Sequence, residues 1–139
     1  MKRKYLKLLK RFFSIISIFV AMVFLLPQNL VIPVEGATQE DWDSSSFWMY
    51  PWGESLTHKG IDIYMPKDSK VIAPTYGFIV KTGYGSLSGN YVYLLGPKWR
   101  LHYFAHLSKI DVANFSFVKR KGAIGAVGNT GNAMSTKPH

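Results

Sequence analysis

The sequence predicts an all-β domain of small, mostly antiparallel sheets, preceded by one hydrophobic helix at the amino terminus. From residue 58 onward, short runs of β-branched and aromatic residues are separated by glycine and proline turns. No amphipathic helical period is found after residue 40. Residues 12–26, in contrast, are apolar on every side, which predicts a helix outside a soluble core.

The composition excludes several kinds of protein. A chain of 139 residues has room for about one domain, and the absence of cysteine excludes disulfides, thiol nucleophiles and cysteine-zinc sites. Six of the 17 basic residues lie within residues 1–11. Without them, 11 basic residues face 8 acidic ones, which leaves a net charge of +3. This mild charge does not indicate a nucleic-acid-binding protein.

Residues 1–36 are predicted to be a signal peptide or a membrane anchor. The 15-residue run FFSIISIFVAMVFLL (residues 12–26) follows the basic cluster, as the apolar region of a secretory signal does. The run is short for a membrane span of about 20 residues, although the apolar residues 30–34 could lengthen it. Cleavage after Gly36 and retention as an anchor both remain open. In both cases the rest of the chain would lie outside the cytoplasmic membrane.

Residues 37–57 are predicted to be a linker followed by an aromatic segment. Residues 37–46 are small, acidic and polar, which is typical of a linker. Four aromatic residues follow, which could line a groove or pack against the core: Phe47, Trp48, Tyr50 and Trp52. We expect core packing, because buried aromatic side chains contribute large apolar areas.

The remaining chain divides into short predicted strands. A hairpin is expected between the strands at residues 90–95 and 99–107, and the glycine-rich residues 83–89 are expected to form a loop. The pattern predicts strands at residues 58–64, 69–74, 76–82, 90–95, 99–107 and 122–128. Small residues in the last strand indicate a close approach of another backbone segment.

The sequence His58-Lys59-Gly60-Ile61-Asp62 contains two side chains that can bind zinc. On a straight strand, His58 and Asp62 would lie about 13 Å apart, too far to share one ion. Gly60 allows the chain to bend between them. The alternative is a surface histidine and aspartate at the start of an ordinary strand.

The predicted strand 99–107 carries two further histidines. Strand alternation places His102, Phe104 and His106 on one face, and Leu101, Tyr103, Ala105 and Leu107 on the other. We expect His102 to be an ordinary surface or core histidine. His106 precedes a turn and is expected to point into a cleft at the end of the strand.

Four stretches resemble the zinc metallopeptidases of family M23, the lysostaphin and LytM type. In family order they are HKGIDIYMPKDSKVIAPTYGFIV (residues 58–80), LHYFAHL (101–107), GAIGAVGNTGNA (122–133) and TKPH (136–139). Any one of these stretches is a weak signal, but the ordered set of four is specific. The resemblance implies an M23-type peptidase domain over residues 58–139, with the LytM-type fold.

The resemblance also implies roles for four residues. His58 and Asp62 match the first two ligands of a Zn²⁺ ion, and His106 matches a catalytic histidine. His139 matches the first, catalytic histidine of a His-x-His element. The third zinc ligand of the family would follow two positions later, and the sequence ends before it. We therefore expect a carboxy-terminally incomplete peptidase domain with an incomplete metal site.

The implied function is that of a zinc-dependent endopeptidase that hydrolyses peptide bonds in bacterial cell-wall peptidoglycan. The protein is expected to be exported to the cell envelope. It would contact the membrane only if the amino-terminal segment is retained. A non-catalytic peptidoglycan-binding or hydrolase-activating module on the same fold is the main alternative. A structural envelope protein with incidental histidines is the second.

Overall fold

The computed structural model describes residues 2–50 and 57–139. Within these residues one α-helix, α1, spans Lys2–Leu25, and nine strands follow. The strands are β1 (Trp42–Asp43), β2 (Asp62–Ile63), β3 (Lys70–Ile72), β4 (Gly77–Gly85), β5 (Gly89–Leu95), β6 (Leu101–Leu107), β7 (Lys109–Ile110), β8 (Phe117–Val118) and β9 (Ala123–Ala126). The helices among the described residues after α1 are short 3₁₀ turns at Gln39–Asp41, Ser44–Ser46, Pro97–Trp99 and Gly131–Ser135.

The strands form three antiparallel sheets within the described residues. The largest has the order β6-β5-β4-β8, the second has the order β3-β9-β7, and β1 pairs with β2 alone. The predicted fold class, all-β with mostly antiparallel small sheets after one apolar helix, is confirmed.

The core lies between the four-stranded and three-stranded sheets. Alternate residues of β5 point into it, and Val92 and Leu94 are fully buried there. Ile79 of β4 and Ile124 of β9 are buried in the same cluster. Burial of each such side chain stabilises the fold by about 1.5–3 kcal/mol.

The predicted hairpin between the fourth and fifth strands is confirmed as β5 and β6. The loop predicted at residues 83–89 is shorter than expected: only residues 86–88 form a turn, because β4 and β5 remain paired as far as Gly85 and Gly89. Glycine was the misleading signal. The ring of Tyr91 lies over Gly83 on the neighbouring strand, where a Cβ atom would come within 2.8 Å of its hydroxyl oxygen. An aromatic side chain from the partner strand thus covers a position that has no side chain of its own.

Strand β6 contains a bulge near its carboxy-terminal end. Phe104 pairs with Val92, whereas Leu107 pairs with Asn90, so two residues of β6 oppose one residue of β5. His106 lies in this bulge, with a φ of 58°. Side-chain alternation along the strand therefore stops before His106.

The two faces predicted for this strand are consequently wrong. Leu107 is 2% exposed, whereas Leu101 and Tyr103, which were expected on the same face, are exposed. His102 pairs with Leu94 at the opposite end of β6 and has different neighbours from His106. The bulge, which the sequence pattern did not reveal, separates the two histidines.

The strand predicted at residues 58–64 is much shorter than expected. Only Asp62 and Ile63 form β2, and the chain bends at Gly60. The bend predicted from the glycine is therefore confirmed, whereas the extended conformation predicted for residues 58–61 is wrong.

Helix α1 is exposed along its length and is long and apolar enough to cross a membrane, by length and composition alone. A cleavable signal sequence meets the same criteria. The following residues run along β3, where the backbone N–H of Val31 donates to Pro74 and that of Glu35 donates to Lys70. Val34 is 7% exposed and belongs to the core cluster. A cut after Gly36 would remove these contacts.

The segment predicted to be a linker lies against the domain. Trp42 and Asp43 pair with β2, and Ser46 is buried. The expectation that the aromatic residues pack into the core is wrong for Phe47, Trp48 and Tyr50, which are 51%, 54% and 52% exposed. The segment is attached mainly through backbone and serine contacts instead. Trp52 lies outside the described residues.

Candidate metal centre

His58 and Asp62 lie side by side across the bend at Gly60. The Nε2 atom of His58 is 3.6 Å from Oδ1 of Asp62. Two ligands at about 2.0–2.1 Å from a tetrahedral zinc ion lie about 3.3–3.4 Å apart. The observed separation therefore fits two ligands of one zinc ion with little movement.

The space left by Gly60 allows this arrangement. Its φ is not positive, so the glycine is not required by a left-handed backbone. A Cβ atom at this position would lie 3.2 Å from Nε2 of His58. The missing side chain thus makes room for the imidazole ring beside the carboxylate.

His106 projects from the bulge of β6 towards the same region. Its Nδ1 atom donates to the backbone carbonyl of Thr130 at 2.9 Å. Burial lowers the pKa of His106, with a smaller lowering effect from His139 and an opposing one from the hydrogen bond to Thr130. The imidazole is therefore mostly neutral at pH 7.

His139 completes the group of three histidines. Its Nε2 atom is 3.9 Å from Oδ1 of Asp62, and its ring centroid is 5.0 Å from that of His106. Its backbone N–H donates to Gly128 at 3.0 Å, and its ring lies against Tyr64. His139 therefore lies between the carboxylate of Asp62 and the ring of His106.

All three imidazoles have the same hydrogen-bonding polarity. The Nδ1 atoms of His58, His106 and His139 each face a backbone carbonyl, at 2.7, 2.9 and 2.8 Å. A carbonyl only accepts hydrogen bonds, so Nδ1 carries the proton in each ring and the lone pair of the neutral ring is on Nε2. This is the tautomer in which histidine binds a metal or accepts a proton through Nε2.

The four predicted site residues share one cleft of about 690 Å³. The walls include Tyr64, Leu87 and Tyr103, so the polar cluster opens onto partly apolar surroundings. Residues 2–50 and 57–139 contain no group of three or more metal-binding side chains with suitable geometry. The described part of the chain thus offers the His58–Asp62 pair, with His106 and His139 beside it.

His102 lies apart from this cluster. Its Nε2 atom accepts a hydrogen bond from the side-chain amide of Gln28 at 3.4 Å. Burial, with a smaller effect of Arg100, lowers its pKa. These contacts are those of a half-buried structural histidine.

Two residues that hold the site were not identified from the sequence. The carbonyl of Thr130 orients His106, and its hydroxyl donates to Leu107 at 3.0 Å. The carbonyl of Ser46 orients His58. Because backbone carbonyls provide both contacts, residue type gave no signal for them.

The sequence profile of Peptidase family M23 matches residues 56–139, which is more than half of the chain. The chain belongs to peptidase family M23. The four predicted site residues all lie within the matched range, and the fold described above is that of this family.

Individual relatives agree with this assignment. The peptidoglycan DD-endopeptidase ShyC of Vibrio cholerae is 31% identical over 87 residues, which cover 63% of this chain and 20% of that protein. A solved M23 peptidase from Pseudomonas aeruginosa is 31% identical, with a TM-score of 0.65, over 94% of this chain and 53% of that structure. The catalytic domain of lysostaphin from Staphylococcus simulans is 32% identical, with a TM-score of 0.61, over 68% of this chain and 71% of that domain. The chain thus spans about one fifth of the length of the curated relatives that it matches.

Proposed function

We propose that this chain carries the site of a zinc-dependent endopeptidase that hydrolyses peptide bonds in bacterial peptidoglycan. The observation that carries the proposal is the pairing of His58 with Asp62 at 3.6 Å, with His106 and His139 in the same cleft. The name of the relative ShyC supports peptidoglycan as the substrate.

His58 and Asp62 would hold the zinc ion through Nε2 and Oδ1. When bound, zinc supplies Lewis acidity, which polarises the scissile carbonyl and lowers the pKa of a bound water to about 7. By resemblance to the family, a third ligand would follow two positions after His139. A chain extended by Leu-His at its carboxy terminus would supply that ligand.

His106 would act as the general base. Its Nε2 atom carries the lone pair because Nδ1 is bonded to Thr130, and burial lowers the pKa of the ring, which favours its neutral form. A neutral imidazole can accept a proton from the attacking water and later return it to the leaving amine. The bulge in β6 supports this role, because it directs the ring into the cleft.

His139 would stabilise the oxyanion that forms at the attacked carbonyl. Its ring lies between Asp62 and His106, and in the protonated form Nε2–H can donate a hydrogen bond to that oxygen. The two histidines would thus divide proton transfer and charge stabilisation between them.

The substrate requires an exported protein. Peptidoglycan lies outside the cytoplasmic membrane, and α1 has the length and composition of a signal or an anchor. We therefore place the domain at the outer side of that membrane, in the cell envelope, tethered to the membrane if α1 is retained.

A non-catalytic peptidoglycan-binding or hydrolase-activating module is the second candidate. It is compatible with the same fold, because one fold can carry both catalytic and non-catalytic proteins. It is opposed by the joint presence of His58, Asp62 and His106 in one cleft. A module without catalysis would not need them together.

The test compares the full chain with the chain extended by Leu-His, both in detergent micelles. Each is incubated with purified peptidoglycan sacculi, and newly released amino groups are counted. We expect hydrolysis by the extended chain that is lost on zinc chelation. Sacculus binding without hydrolysis by the extended chain would support the non-catalytic module, and neither binding nor hydrolysis would contradict both functions.

A further inference from the structure

We propose that Ser46 is a positioning residue that holds both proposed zinc ligands at the same time. The inference rests on the proposed function and assigns a new role to a residue outside the range matched by the family profile, residues 56–139. Ser46 lies 12 residues before His58 and 16 before Asp62.

Ser46 contacts His58 through its backbone. Its carbonyl accepts the hydrogen bond from Nδ1–H of His58 at 2.7 Å. This contact fixes the tautomer and the rotation of the ring, so that Nε2 faces Asp62. In metal sites, a hydrogen bond at the far nitrogen of a histidine orients the ligand and raises its basicity.

Ser46 contacts Asp62 through its side chain. Its hydroxyl oxygen accepts the backbone N–H of Asp62 at 3.0 Å and donates its own proton to the carbonyl of Asp43 at 2.7 Å. The hydroxyl is thus used as both donor and acceptor, and the residue is 1% exposed. Such a buried, fully bonded hydroxyl leaves the start of β2 little freedom to move.

Neighbouring contacts hold Ser46 itself in place. Asp43 pairs with Asp62 across β1 and β2, and its carboxylate accepts the backbone N–H of Ser45 at 2.9 Å. The hydroxyl of Ser45 donates to the same carboxylate, and this side-chain hydrogen bond, followed by the backbone one, lowers the pKa of Asp43. On the other side, the backbone N–H of Trp48 donates to His58 at 2.7 Å. Ser46 therefore lies in the middle of a segment that is hydrogen-bonded to both ends of the His58–Asp62 bend.

The two contacts of Ser46 can be separated by mutation. Ser46→Ala removes the hydroxyl and keeps the backbone carbonyl. The backbone N–H of Asp62 therefore loses its hydrogen-bond acceptor, whereas Nδ1–H of His58 retains its own. Loss of such an outer contact lowers metal affinity by about 10- to 100-fold in known sites. Ser44→Ala is the matched control, because Ser44 is a serine in the same 3₁₀ turn and is exposed.

The first measurement needs no metal. Amide hydrogen exchange is followed by NMR on the full chain in detergent micelles. In Ser46→Ala we expect faster exchange at the Asp62 amide, unchanged exchange at the core amide of Val92, and a retained Nδ1–H signal from His58. Ser44→Ala should match the unmodified chain. The proposal would be overturned if exchange became faster at all amides, or if the exchange rate at the Asp62 amide did not change.

The second measurement is zinc affinity in the chain extended by Leu-His. We expect about a 10-fold weaker affinity in Ser46→Ala, measured well below its thermal midpoint so that the domain is folded, and an unchanged affinity in Ser44→Ala. If Ser46→Ala fails to fold, Ser46→Cys fills the same space with a weaker acceptor and is expected to show the same direction of change. Unchanged affinity in the folded variant would overturn the proposal. Absence of zinc binding by the unmodified extended chain would instead contradict the proposed function, and the exchange data would still decide the role of Ser46.

Discussion

The Nε2 atom of His58 lies 3.6 Å from Oδ1 of Asp62, although a straight strand would hold these residues about 13 Å apart at their Cα atoms. The bend at Gly60 closes this gap, and the hydrogen bonds from the segment around Ser46 keep it closed. The bend thus places one nitrogen and one oxygen atom at a separation that fits two ligands of one zinc ion.

Gly60→Ala should weaken zinc binding without unfolding the domain. The added Cβ atom would lie 3.2 Å from Nε2 of His58, which is close enough to push the ring away from Asp62. We expect about a 10-fold weaker zinc affinity in the chain extended by Leu-His, measured by competition with a chromophoric chelator. Gly85→Ala is the control, because its Cβ would make only an ordinary contact of 3.7 Å with Ser88. Equal affinities for the two variants would contradict the steric role of Gly60.

His106→Ala should separate catalysis from metal binding. Loss of a general base lowers turnover by about 10²- to 10⁴-fold. Because His106 is proposed to act on water rather than to bind zinc, the metal content should not change. Turnover on sacculi and zinc content are measured in the extended chain, with His102→Ala as the control. Full turnover in His106→Ala would show that another group accepts the proton.

Val34→Ala should destabilise the domain. Val34 is 7% exposed and bridges to Val71 of β3, so the change leaves a gap in the core. We expect the free energy of unfolding to fall by about 1–3 kcal/mol, measured by chemical denaturation of the full chain in micelles. Leu30→Ala, at a residue that is 52% exposed, should have a much smaller effect. A loss in Val34→Ala as small as that expected for Leu30→Ala would show that Val34 is not part of the folded core.

His102 should make the domain less stable in mild acid. Its pKa is lowered in the folded state, mainly by burial, from an ordinary value of 6.5. As the pH falls below 6.5, the unfolded chain therefore takes up the proton first, and the free energy of unfolding decreases until the folded-state pKa is passed. The slope cannot exceed about 1.4 kcal/mol per pH unit for one proton.

His102→Gln provides the measurement. The free energy of unfolding is compared between pH 7.5 and pH 5.5 in the unmodified chain and in the variant. Because His106 has a pKa lowered in the same direction, both proteins will lose stability in acid, but the variant should lose less. An equal loss in the two proteins would contradict the assignment to His102.

The sequence pattern was sufficient to predict most of the strands and to select four candidate residues that share one cleft. Period-two alternation revealed β5 because Val92 and Leu94 face a buried core, and ordered short motifs revealed the family. Gly60 also gave a correct signal, since only a bend could bring its neighbours together.

Other features depend on contacts that residue type does not encode. The bulge at His106 arises from the pairing of β5 with β6, and no special residue marks it. The glycines suggested a loop over all of residues 83–89, although the pairing of β4 with β5 continues to Gly85 and Gly89 and leaves only residues 86–88 as the turn. Ser46 looked like one of several linker serines, and its role became visible only when its distances to His58 and Asp62 were known.

The most direct test of the account is the zinc content of the chain extended by Leu-His after exhaustive dialysis. We expect one zinc ion per chain, reduced to near zero by His58→Ala or Asp62→Ala and unchanged by His102→Ala. Zinc retained at one ion per chain in both His58→Ala and Asp62→Ala would contradict the central claim that this pair binds the metal.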